Sequence, residues 1–227
     1  SSTQTMNYDC ILVNGDSYSA PTNSKVYADF LAESLNIPVK NYARPGSCNK
    51  RIIRSTIENL IELKKEYQNP LVVIGWSFVR RQEVWYYGTN ENMLRNVFDN
   101  PESRLVTLDF LLNAGEATLE QKSMILPDIQ IHKALTDFYT DLYTFSNCLK
   151  SQNIDYFWFS GARNTDCPIQ SFPYIMSLAQ VAAVTADPNI LKLHDFCIMN
   201  WAQENDPDAN PATGHLSESG HKKFAEL

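Results

Sequence analysis

The run Leu71–Trp76 (LVVIGW) is apolar from end to end, with none of the alternation expected of a strand that keeps one face wet. Such a strand must be covered on both sides, and the usual way to cover it is a parallel sheet held between layers of helix. The rest of the chain supplies those pieces in alternation. Tyr8–Gly15 reads as a second buried strand, and Val39–Ala43 as a short one ended by Pro45-Gly46. Tyr156–Ser160 reads as a fourth strand, and Leu191–Met199 holds a short fifth. Between them, Ser24–Asn36, Asn49–Tyr67 and Ile129–Lys150 repeat apolar residues at helical spacing. In the second of these Ile53, Ile57, Leu60 and Ile61 mark one face; in the third Leu135, Phe138, Leu142, Phe145 and Leu149 do. Ser217 suits the N-cap of a last helix over Ser217–Leu227. The pattern predicts an α/β chain with a central parallel sheet of about five strands, helices on both faces and right-handed crossovers.

A chain of 227 residues is long enough for one domain with a full core and short for two. The alternation breaks between about 77 and 128, a stretch rich in aromatics, Asn and charge, which reads as an insertion or long excursion above the sheet. The net charge of −7 argues against a nucleic-acid partner, because phosphate recognition needs a concentrated basic face. No apolar run reaches the roughly 18 residues that span a bilayer, so no membrane partner is expected. No basic segment followed by an apolar one precedes the first strand, which predicts no signal peptide and a cytoplasmic setting. The five cysteines (Cys10, Cys48, Cys148, Cys167, Cys197) are odd in number and lack a CxxC pair, consistent with a reducing compartment. His132, His194, His215 and His221 show no metal-ligand spacing, and neither a metal nor another cofactor is expected.

The chemistry concentrates in Ile11–Ser19 (ILVNGDSYS), where the first strand runs straight into Gly-Asp-Ser. In open α/β sheets, ligands bind at the carboxyl ends of strands. That edge collects the loops after each strand: Ser17 after the first, Gly46 after the second, Ser77 after the third. His215 precedes the last helix, in GHLSESGH (214–221). Ester hydrolysis through a serine needs a nucleophile, a base and donors for the developing oxyanion, each on a different loop. Asp16 reads as a turn former rather than an acid. His221 is expected on the surface of the last helix or packed structurally, and His132 and His194 outside any catalysis. GWSFV at 75–79 echoes a nucleophile elbow but lacks its second glycine, which leaves Ser77 as an oxyanion or supporting residue.

At these residues the chain resembles the SGNH (GDSL) hydrolases, esterases and deacetylases with a flavodoxin-like three-layer α/β/α sandwich. Gly15-Asp16-Ser17 matches the first block, whose serine is the nucleophile. Gly46 matches the glycine whose N–H serves the oxyanion hole, and His215 the catalytic histidine. The phrases around Pro45–Ile52 and Val73–Ser77 look like versions found in tailed-bacteriophage genomes. Two positions depart from the family pattern. The third block normally carries Gly-x-Asn-Asp, but this chain reads Gly75-Trp76-Ser77-Phe78, so the second side-chain donor falls to Ser77 or to Asn49 on the neighbouring loop. The aspartate three residues before the histidine is Ala212 here, leaving Asp206, Asp208 or a backbone carbonyl to orient His215.

The resemblance implies a serine esterase acting on a small acyl ester, with an O-acetyl group on a carbohydrate or similarly polar carrier preferred. Trp76, Tyr18 and Arg80 are the substrate-contact expectations. Trp85, Tyr86 and Tyr87 either stack on substrate or pack the insertion as a satellite core. The alternative is a binding or structural (virion-associated) protein on the same fold with weakened turnover. The sequence leaves the oligomeric state open.

Overall fold

The computed structural model describes residues 7–91, 104–124, 131–161, 172–191, 193 and 196–227. Cys167 and His194 lie outside the described residues. Four strands, β1 (Cys10–Gly15), β2 (Val39–Asn41), β3 (Pro70–Trp76) and, after a two-stranded excursion, β6 (Tyr156–Ser160), form one parallel sheet in the order β2-β1-β3-β6. Every residue of β1 is buried, as its unbroken apolar run requires.

The period-two geometry of β1 and β3 sorts their side chains onto two faces. Cys10 and Leu12, with Val72, Ile74 and Trp76, join one core. Ile11, Val13 and Val73 join the other. The first core is covered by α2 (Asn49–Leu63), α5 (Ile131–Ser151) and α7 (Ala179–Thr185). The second is covered by α1 (Tyr27–Leu35), α8 (Ile198–Asn205) and α9 (Glu218–Ala225). The α/β/α layering is therefore present, with helices on both faces of the sheet.

Among the described residues the expected fifth strand is represented by one parallel bridge, Trp158 to Ile190, one residue before the expected Leu191–Met199. Trp158 N–H donates to Asn189 O at 2.9 Å and Leu191 N–H to Trp158 O at 2.8 Å. The chain then leaves the ladder, and Cys197 begins α8, its sulfur accepting the Asn200 N–H. The excursion carries its own small antiparallel pair, β4 (Glu83–Trp85) with β5 (Leu105–Thr107), followed by α3 (Leu108–Ala114) and α4 (Leu119–Ser123). Val84, Tyr86, Val106, Leu108 and Leu111 form its satellite core, while Trp85 and Tyr87 on the opposite side of the strand are exposed.

The buried face of α2 is not the isoleucine stripe. Ile57 and Ile61 are 40% and 60% exposed, and the helix instead turns Ile52, Ser55, Thr56 and Leu60 inward. The cause is Asn14, fully buried near the end of β1. Its Nδ2 donates to Ile52 O at 3.2 Å, Ser55 Oγ at 2.8 Å and Thr56 Oγ1 at 2.9 Å, while its Oδ1 accepts the Gly15 N–H at 2.8 Å. A polar seam thus fixes the rotation of α2 against the strand that carries Ser17, because leaving buried donors unpaired costs more than exposing two isoleucines. Asn14→Ala is expected to lower unfolding stability by about 2–3 kcal/mol, the scale of orphaned buried hydroxyls and one N–H. Urea denaturation checks it, and an unchanged midpoint contradicts the assignment.

Candidate active site

Ser17 stands at the carboxyl end of β1 because the chain turns sharply after Gly15. A Cβ on Gly15 would sit 2.8 Å from Gly75 O and from Ser19 Oγ, so the two central strands approach too closely there for any side chain. Asp16 then builds the turn. Its backbone carbonyl accepts the N–H groups of Ser19 and Ala20, and its Oδ1 accepts the Tyr18 N–H at 3.1 Å. These bonds hold Ser17 at the apex, half-buried.

His215 reaches this apex from the other end of the chain. Its Nε2 lies 2.8 Å from Ser17 Oγ, a hydrogen bond between residues 198 positions apart. The loop before it is folded by Asn210. The Asn210 Oδ1 accepts the N–H groups of Ala212 and Thr213, its carbonyl accepts the Gly214 N–H, and its own N–H donates to His215 O. The far side of the imidazole meets Thr213, whose Oγ1 is 2.6 Å from Nδ1. Tyr18 stacks on the ring, with centroids 4.5 Å apart and planes 10° from parallel, and its hydroxyl donates to Thr213 O at 2.7 Å.

The sequence expectations divide sharply at this point. Ser17 and His215 are brought together. Asp206 does not orient His215: it is buried beneath the start of α9, where Oδ2 accepts the Ser217 N–H at 2.7 Å and Oδ1 accepts the Ser217 hydroxyl at 2.8 Å. Asp208 is exposed, with its N–H donating to Asp206 Oδ1. The Asp206 carboxylate is drawn to the Ser217 cap rather than to the imidazole, and Asp208 is tied to Asp206 through its backbone N–H. The carboxylate whose charge acts on His215 is Asp16, and it opposes the burial that holds the imidazole below its ordinary value of 6.5. His221 is 8% exposed, and burial pushes its imidazole down to about 4, so it packs as a neutral ring.

Asn49 is fully engaged with the backbone of Ser77. Its Oδ1 accepts the Ser77 N–H at 2.8 Å and its Nδ2 donates to Ser77 O at 3.1 Å, which makes it a clamp on the loop after β3 rather than an oxyanion donor. Ser77 is fully buried, its Oγ accepting Arg81 Nη1 at 2.9 Å. Trp76 is fully buried and packs edge-on against Trp158 and Phe138 in the core, so it contacts no substrate. Its side chain points through the sheet because β3 alternates, and only its neighbour Ser77 turns toward the rim. Tyr18 is 6% exposed, and its ring is turned to the imidazole. Arg80 is half-buried, and it is Arg81 that faces the apex.

Among the described residues the buried Asp16 Oδ2 has no hydrogen-bond partner, and it lies 3.5 Å from Arg81 Nη1. Burial pushes the Asp16 carboxyl up, while the neighbouring Ser77 hydroxyl, the Tyr18 N–H and the charges of Arg81 and His215 pull it down. Arg81 also faces Asp109 at 3.4 Å, which ties the excursion to the rim of the sheet.

Gly46, at φ +74, adopts a conformation that favours glycine, and a Cβ there would strike the ring of Phe110 at 2.7 Å. Among the described residues, the N–H groups of Ser17 and Gly46 donate to no protein acceptor. Sequence reasoning missed Thr213 and the stacking of Tyr18. The signal for Thr213 was its hydroxyl two residues before His215, the spacing of a side-chain-to-backbone turn.

No family model matches the chain, and no curated protein matches it. Solved structures do. The chain is similar to a member of the lipolytic protein G-D-S-L family from Veillonella parvula DSM 2008, with 14% identity, a TM-score of 0.48 and coverage of 96% of this chain and 94% of that one. It is also similar to the acetyl xylan esterase AlAXEase, with 14% identity, a TM-score of 0.45 and coverage of 96% of each chain.

The reassignment of Asp206 has a measurable consequence. Asp206→Ala is expected to cost about 1–2 kcal/mol of stability, the worth of a helix cap. It is expected to leave the reactivity of Ser17 toward a fluorophosphonate within about twofold of the parent. Thermal melts and labelling rates check both halves. A loss of labelling by more than tenfold in a folded Asp206→Ala protein would show that this carboxylate serves His215 after all.

Proposed function

We propose that the chain is a serine ester hydrolase acting through an acyl-enzyme, with Ser17 as nucleophile and His215 as base. The observation that carries this is the 2.8 Å contact between Ser17 Oγ and His215 Nε2 at the carboxyl edge of the parallel sheet. Hydrogen-bond reach between a hydroxyl and an imidazole is the geometry that nucleophilic catalysis requires. As Ser17 Oγ attacks the ester carbonyl carbon, its proton passes to Nε2. The carbonyl oxygen takes the negative charge and is received by the N–H groups of Ser17 and Gly46. Collapse expels the alkoxide, which leaves with the proton from Nε2. Water, giving a proton to the same nitrogen, then attacks the acyl group and frees Ser17.

We infer a small acyl ester on a polar carrier, such as an O-acetylated carbohydrate, as the substrate class. A cavity of about 390 Å³ is lined by Asn49 and Arg81 together with Lys50, Glu83, Val79 and Phe138, and neither Ser17 nor His215 lines it. A second reading, a binding module with weak turnover, is supported by one feature: a neutral hydroxyl, not a carboxylate, meets His215 Nδ1.

Two measurements decide. Ser17→Ala is expected to lose p-nitrophenyl acetate hydrolysis by at least about 1000-fold, the scale of removing a catalytic nucleophile, and equal rates overturn the mechanism. The pH dependence follows from His215. A base must be neutral to accept a proton, and burial lowers its pKa from 6.5, so activity is expected to fall on acidification with a midpoint below 6.5. A midpoint well above 6.5 would contradict the burial of the ring as the dominant influence.

A further inference from the structure

We propose that Thr213 and Tyr18 are the positioning residues of His215, with a threonine hydroxyl in the place of an acid; this rests on Ser17 and His215 acting as nucleophile and base. For Nε2 to take the Ser17 proton it must be bare, so the ring proton must sit on Nδ1. A histidine with a free Nδ1 exchanges tautomers and swings about χ2, and both motions remove the bare nitrogen from the nucleophile. Thr213 Oγ1 lies 2.6 Å from Nδ1, and in the form with Nε2 bare toward Ser17 the Nδ1–H donates to that hydroxyl oxygen. The same oxygen lies 3.4 Å from the His215 N–H, so one hydroxyl addresses both backbone and ring of the residue it orients.

Tyr18 completes the frame. Its ring, 4.5 Å from the imidazole and within 10° of parallel, blocks rotation about χ2. Its hydroxyl donates to Thr213 O at 2.7 Å. Residues 18 and 213 thus bracket His215 from its flank and its far nitrogen, and Tyr18 follows the nucleophile directly in the chain. The carboxylates that offered themselves in sequence, Asp206 and Asp208, are occupied by the Ser217 cap or exposed. The arrangement gives the base direction without a formal charge on Nδ1, and the negative charge nearest the site stays on the nucleophile's side, at Asp16.

The test is the rate of Ser17 labelling by a fluorophosphonate together with p-nitrophenyl acetate kinetics, in the full chain. Thr213→Val removes the acceptor while keeping the shape of an exposed residue. It is expected to lower kcat and the labelling rate about tenfold, the worth of one hydrogen bond, with KM unchanged. Thr213→Ser returns the oxygen and is expected to restore both to within about twofold. Tyr18→Phe keeps the stack, loses the bond to Thr213 O, and is expected to slow labelling about threefold. A Thr213→Val protein as fast as the parent, or a Thr213→Ser protein as slow as Thr213→Val, overturns the role of the hydroxyl. A Tyr18→Phe protein at the parent rate overturns the role of the Tyr18 hydroxyl, and a Tyr18→Leu protein that is folded and at the parent rate overturns the role of the stack. A parent protein that labels no faster than Ser17→Ala overturns the nucleophile assignment itself, and that outcome is separate from the other three.

Discussion

The parallel pairing of β1 with β3 is the constraint on which the rest of the structure depends. Its register sets Gly15 opposite Gly75, and the absence of side chains at both lets the two strand ends approach until a Cβ would meet the neighbouring carbonyl. From that crossing the chain emerges twice, as the Asp16–Ser17 turn and as the Ser77 loop. Burying both faces of the sheet is what forces the alternation of helices, and the crossovers return every loop to the same edge. Asn14 then locks α2 to β1, and the Asn49 carboxamide locks the Ser77 loop to α2. The rim is rigid because its polar groups are shared between neighbouring elements.

Much of this was legible in the residues. Apolar runs without alternation identify β1 and β3, and Gly-Asp-Ser at the end of one of them places a hydroxyl at the edge where loops gather. The reading was weaker where tertiary contacts overrule local pattern. The isoleucine stripe of α2 misleads because periodicity registers apolar spacing but not a buried asparagine 41 and 42 residues from the hydroxyls it pairs with. Trp76 looked like a ligand-stacking residue because it ends a strand at the edge where loops gather, yet the period of two sends it into the core and Ser77 to the rim. Leu191–Met199 has strand-like composition, but among the described residues the sheet edge receives one bridge, at Ile190, and Cys197 starts a helix.

The base shows the same limit more sharply. Asp206 and Asp208 drew attention because the aspartate expected three residues before the histidine is Ala212 here, and carboxylates orient histidines well. The Ser217 N–H and hydroxyl compete for Asp206 and win, because a helix start carries unsatisfied donors and a partial positive charge. What remains within reach of His215 Nδ1 is a threonine two residues away, held by the Asn210 turn and strapped by Tyr18. A hydroxyl there supplies direction but little stabilisation of the imidazolium, so a catalyst built this way trades rate for a neutral, half-buried base.

The central claim is that His215 presents a bare Nε2 to Ser17 while its proton rests on Nδ1, and ring nitrogen shifts measured by NMR on uniformly ¹⁵N-labelled protein at neutral pH report this directly. The account predicts a neutral ring in the Nδ1–H form, with the Nε2 shift moving when Ser17 is replaced by alanine because its hydrogen bond is lost. A ring found in the Nε2–H form, or an Nε2 signal indifferent to Ser17→Ala, would contradict it.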